Sequence, residues 1–153
     1  MSGSAASADA GARLGRPWSA LWDEPARAAA AIALGCSGVL HATVIGRHFA
    51  EYQPFGLFFA ALSVAQLFAS FLLPQANGRL LRVTAWCCVG VAALWVASRT
   101  TGLPVGPDPW HPEAAGLLDV VSTGLELLVA DVCFVLAGRA AGTSTPVDAQ
   151  AIP

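Results

Sequence analysis

Four apolar stretches, each close to the roughly 20 residues a helix needs to cross a bilayer, leave this chain few folds to choose from. They run over about 28–46 (AAAAIALGCSGVLHATVIG), 56–73 (GLFFAALSVAQLFASFLL), 80–98 (LLRVTAWCCVGVAALWVAS) and 114–138 (AAGLLDVVSTGLELLVADVCFVLAG). The runs are continuous, whereas a lipid-facing barrel strand alternates over about 10 residues, so they predict helices. Their breaks carry helix-ending chemistry: Gln53-Pro54-Phe55-Gly56, Pro74-Gln75-Ala76-Asn77-Gly78, and the stretch from Gly102 to Pro109. Short connections make neighbouring helices antiparallel. The expected fold is therefore all-α, a membrane-embedded up-down four-helix bundle over residues 26–142.

Composition agrees. The chain is 56% hydrophobic and 12% charged over 153 residues, with a net charge of -2. A soluble domain carries about 25% charged residues, so a disordered chain, a basic nucleic-acid binder and most soluble enzymes are excluded. All eight basic residues are Arg, and Ala is abundant, a pairing that points to high-GC, bacterial coding. Residues 1–16 and 143–153 are small and polar and are expected to be disordered tails. Between the first tail and the first span, residues 17–25 hold Trp18 and Trp22 and suit a short interfacial anchor, or equally an irregular linker.

Arg placement sets the expected orientation. Arg13, Arg16, Arg27, Arg79, Arg82 and Arg139 fall on one side of such a bundle, and Arg47 and Arg99 on the other. By the positive-inside rule both termini are cytoplasmic, in the plasma membrane, and the loops 47–55 and 99–113 face outward. A lipoprotein cleavage site before Cys36 is disfavoured, because the preceding tail is long and the apolar run continues past the cysteine.

The polar residues inside these runs are the informative ones. Intramembrane ionisable groups face the bundle interior and have partners. Asp119, Thr123 and Glu126 form one stripe on the fourth helix, and Gln66 lies mid-way along the second. His41 and His48 share a face of the first helix but lie about 10.5 Å apart along its axis, too far to hold one ion together. His48 and Glu51 are neighbours at i, i+3. Arg99 is the expected partner of Asp119, and Arg82 a candidate partner of Asp131.

Two readings of this set stand open. In one it is an outward-facing polar site, His41, His48, Glu51, Arg99, Asp119, Thr123 and Glu126, with His111 and Glu113 at its rim. Such a site would bind or help move a cation. A divalent metal held by His48, Glu51 and Glu126 is preferred over a proton, because mixed His and carboxylate ligands suit Zn or Cu(II). In the other, the same residues are structural interhelix pairs in a non-catalytic accessory or assembly subunit, packed against other membrane subunits or a homo-oligomer. Cys36, Cys87, Cys88 and Cys133 lie within spans and are expected as small apolar filler, against a soft-metal site joining Cys87 or Cys88 to Cys133. Haem is disfavoured, since both span histidines are on one helix. No nucleotide-binding, zinc-protease or hydrolase signature is present, so neither nucleotide nor catalytic chemistry is expected.

The segment Trp95-Val96-Ala97-Ser98-Arg99-Thr100-Thr101-Gly102-Leu103-Pro104-Val105-Gly106-Pro107, followed by Glu113, Gly116, Asp119 and Glu126, resembles a group of small bacterial four-helix integral membrane proteins. That group carries W-x-x-[ST]-R-T-x-G-x-P-x-G-P and then E-x-x-G-x-x-D. Upstream, His48, Glu51, Gly56, Phe59 and Gln66 match it as well, so the likeness spans residues 38–130. The resemblance implies a membrane protein and supplies no reaction. In physical terms Gly102, Pro104, Gly106 and Pro107 make a tight loop that would cap the bundle and hold Arg99 against the fourth-helix acids.

Overall fold

The computed structural model describes residues 18–142, with side chains from residue 23 onward; the two tails expected at 1–16 and 143–153, and the indoles of the anchor segment, lie outside that range. The described residues form four helices: α1 Trp18–Glu51, α2 Gln53–Leu72, α3 Gly78–Thr100 and α4 Leu117–Gly142. A single 3-10 turn, Leu73–Gln75, follows α2, and no strand occurs among the described residues. All four helices are long and apolar enough to cross a membrane.

The boundaries depart from the sequence expectation at three places. Residues 18–25 are continuous with α1, which carries Pro25 within it, so the anchor segment is the first part of a long helix. The expected loop around Pro54 shrinks to one extended residue, Tyr52, because Pro54 sits in the first turn of α2, where its missing N–H costs nothing. The fourth helix starts at Leu117, three residues later than expected, since Glu113–Gly116 stay in the connection. Asp119 in the first turn of α4 then accepts the Gly116 N–H at 3.0 Å, which satisfies one of the helix's orphan donors. Asn77 does the same for α3, accepting the Leu80 N–H at 2.9 Å.

Helix α1 is the centre of the fold. It packs along α2 and α4, and α3 packs on α4, while α2 and α3 make little direct contact. Small residues permit the closest of these approaches. A side chain on Gly38 would stand 3.1–3.3 Å from Leu67 and Gln66 of α2, and Ser63 donates to the Gly38 carbonyl across the same seam at 2.8 Å. The apolar core lies towards the Arg139 end of the helices: Ala30, Ala33 and Leu34 meet Leu73, Leu81, Ala85, Val129, Cys133 and Leu136. That end is also fastened by Arg27 donating to the Ala76 carbonyl (2.6 Å) and by Arg139 paired with Asp23 (2.7 Å). Ala-rich helices close tightly there. At the opposite, Arg99 end the facing side chains are bulky and polar, and a cavity opens.

The α3–α4 connection covers that end. Gly102 has φ of +73° and Gly106 of +120°, backbone that side chains disfavour. A Cβ on Gly102 would come within 2.5 Å of the His111 nitrogen, and one on Gly106 within 2.9 Å of the Phe55 ring. The loop thus folds back on itself and reaches α2. Gly102→Ala is expected to cost about 2 kcal/mol, combining a left-handed alanine with a backbone clash. The thermal midpoint of purified protein in detergent checks this, with Gly90→Ala, where nothing lies within 4 Å, as the neutral control.

Candidate functional site

Glu126 is 1% exposed and lies near the middle of α4. A carboxylate there costs roughly 2.5–3.5 kcal/mol on insertion scales unless it finds donors. Three side chains from two helices supply them to the same oxygen. Gln66 of α2 donates to Oε1 at 2.6 Å, Ser37 of α1 at 3.3 Å, and His41 Nε2 stands 3.0 Å away, donating when that nitrogen carries the proton. Ser37 and His41 are four residues apart, so one face of α1 presents both.

Phe59 of α2 joins the two span histidines. His48 stacks on it with ring centroids 4.2 Å apart and planes 9° from parallel, and His41 meets it at 5.4 Å. The shared face expected from their spacing is therefore real, with an aromatic ring in place of a ligand. His48 turns its Nδ1 to Glu51 Oε2 at 3.0 Å. The third cluster is Arg99, which binds Glu113 and, at 2.8 Å, Asp119. Glu113 also donates its N–H to the Ser98 carbonyl at 3.0 Å, so the loop is tied to α3 on both sides of this ion pair.

A cavity of about 480 Å³ connects the three clusters. His41, Thr123 and Glu126 line its deep end, Arg99 and Asp119 its side, and Tyr52, Phe55, Phe58, Phe59 and Trp95 its walls. Leu103, Pro104 and Val105 of the connection close over the top. Of the four expected loop-cap residues, Pro104 lines the cavity, Gly102 and Gly106 shape the cap, and Pro107 is exposed. Pairing leaves Trp95 Nε1 and Arg99 Nε buried without a hydrogen-bond partner among the described residues.

The sequence-based site divides accordingly. His41 with Glu126, His48 with Glu51, and Arg99 with Asp119 are each brought together. The metal trio His48, Glu51 and Glu126 is not. Glu126 pairs with His41 instead, and among the described residues no three His, Cys, Asp or Glu side chains are gathered as a metal would require. Of the cysteines, Cys88 and Cys133 are both buried in the apolar core and Cys87 is exposed. The suggested Arg82–Asp131 pair is absent, and both side chains are exposed. His111 is an exposed loop residue, and Glu113 reaches the cavity.

Sequence reasoning missed Ser37 and the aromatic walls. A serine one turn before a span histidine was a usable signal for the first. The second had none, because phenylalanines in an apolar helix look alike whichever way they face. Comparison with protein-family models, with curated proteins and with solved structures finds no match to this chain.

Proposed function

We propose that this chain is a multi-pass protein of the bacterial plasma membrane, an up-down bundle with both termini cytoplasmic, and that its cavity binds and helps to pass a cation. The positive-inside distribution of Arg puts the Arg99 end outward. The single observation that carries the reading is Glu126, a buried carboxylate facing His41 at the foot of a cavity. Between the two cations considered, this arrangement favours the proton. A divalent ion wants three or more protein ligands, and the two groups that meet at the deep end are one carboxylate and one imidazole. A histidine and a carboxylate 3.0 Å apart are instead a unit that can share one proton between them. Gln66 and Ser37, which cannot titrate, fix the carboxylate while it does so.

Asp119 belongs to the rim. It is committed to Arg99 and to the Gly116 N–H, and its role is to hold the mouth in register. His48, with Glu51, sits along the same wall and is the next titratable group along α1.

Infrared spectroscopy of the protein in lipid films tests this. The wild type is expected to show a protonated-carboxyl band that titrates with pH, is missing in Glu126→Gln, and moves its midpoint in His41→Gln. A band unchanged in Glu126→Gln would refute the assignment. Stoichiometric bound metal in wild type that disappears in both variants would return the site to metal binding. The accessory-subunit reading predicts a Glu126 that stays in one protonation state across the accessible range.

A further inference from the structure

Asp131 is a carboxylate within α4 that the bundle leaves unpartnered. It is exposed, and its ion-pair candidate on the same chain, Arg82, is exposed as well. Depth along the helices follows from the contact of Gly78 with Ala140 and Ala137. Arg82 is one turn above Gly78, so its Cα lies about 5 Å from the level of Asp131. An arginine side chain spans that distance, but within the one chain it is turned the other way, its Nη1 3.8 Å from where a Cβ on Gly78 would stand. Both residues border one outward face, because Trp86, a turn beyond Arg82, meets Phe134, a turn beyond Asp131, at 5.3 Å edge to face.

The same face is unusually open. Trp86 is 64% exposed, and a shallow groove runs beside it, lined by Arg79, Arg82, Val83 and Cys87. On α4, Gly124 and Gly138 stand seven residues either side of Asp131, both exposed and with nothing within 4 Å of where a Cβ would be. Seven residues bring a helix back to nearly the same side. The acid is therefore flanked along its own face by two positions where another helix can approach closely. In lipid an unpaired carboxylate here is costly, and its normal remedy is a cation from a neighbouring helix.

We infer that this face joins two copies of the chain in a two-fold dimer, with Asp131 of each copy paired to the partner's Arg82. One surface carries both the acid and the base, which is the self-complementarity a two-fold interface demands. A rotation axis along the membrane normal keeps both residues at their own depths, so the pairs form twice. Gly124 and Gly138 let the backbones come together, and Trp86 of each copy lies against the groove of the other.

Counting photobleaching steps of singly labelled protein in liposomes, over a range of lipid dilution, is the test. Wild type is expected to give two-step traces that fall away reversibly on dilution. Asp131→Arg and Arg82→Asp are each expected to weaken self-association about tenfold or more, and the double exchange to recover most of it. Single steps for wild type at every dilution, singles that match wild type, or a double variant as weak as the singles would each overturn the inference. Asp131→Asn, which removes the charge and little else, is the gentler variant should a reversal impair folding; its expected effect is a weaker dimer with unchanged helicity. A dimer held by this face leaves the Glu126 infrared band in place, so the two proposals stand or fall separately.

Discussion

Arg99→Met is expected to lower the stability of the folded bundle by about 3 kcal/mol, the order seen when one partner of a largely buried ion pair is removed. The side chain is 14% exposed, and its two carboxylates are unequal partners. Glu113, half exposed, recovers water and contributes under about 1 kcal/mol. Asp119 is 24% exposed and loses a charge-assisted bond of about 1.5–3 kcal/mol, keeping only the Gly116 N–H. Met keeps the aliphatic stem and removes the guanidinium, whose Cζ stands 6.0 Å from the centre of the Trp95 ring, so the loss reports the charged head and not the stem. Arg99→Lys is expected to recover only part of it, because one ammonium does not reproduce the fork that spans two carboxylates. The measurement is unfolding in mixed micelles followed by helicity. If Arg99→Met matches wild type, the ion pair does not hold the cap. Asp119→Asn in the Arg99→Met background should then cost little more, since the pair is already broken; additive losses would show that the two act apart.

Much of this was legible beforehand, for physical reasons that can be named. Helix number and type follow from apolar runs whose length admits one structure in lipid. The Arg99–Asp119 pair follows from two charges at adjoining ends of consecutive antiparallel helices. His48 with Glu51 follows from helical spacing alone. The errors sit where contact depends on helix rotation. Glu126 meets His41 and not His48 because α1 turns Ser37 and His41 to α4 while Phe59 of α2 occupies the space between the histidines. A sequence states which residues share a face, but the neighbour of that face is decided by packing, here by the small residues at the Gly38–Ser63 seam. Arg82 and Asp131 mislead for the same reason: they sit at nearly matching depth, and both point away from the bundle. The start of α4 was misplaced because Ala114, Ala115 and Gly116 look helical by composition, whereas the capping contact of Asp119 fixes the first turn after them.

His41→Leu is expected to cost about 3 kcal/mol, and the double variant His41→Leu/Glu126→Leu far less than the sum of its singles. Removing the imidazole leaves a buried carboxyl with Gln66 and Ser37 as its remaining donors. Removing Glu126 alone takes away the acceptor that His41 Nε2 and Gln66 Nε2 share, a comparable penalty. Removing both replaces the pair by apolar volume beside Phe59, which a greasy bundle tolerates. The coupling energy from this cycle, measured by unfolding in mixed micelles, separates the two meanings of the pair. A coupling of about 2 kcal/mol or more that changes with pH identifies the His41–Glu126 contact as an ionic pair, since an ion pair contributes only while both partners are charged. A flat profile, with the same coupling at every pH, would mean a neutral hydrogen bond that fastens α1 to α4 and carries no proton traffic.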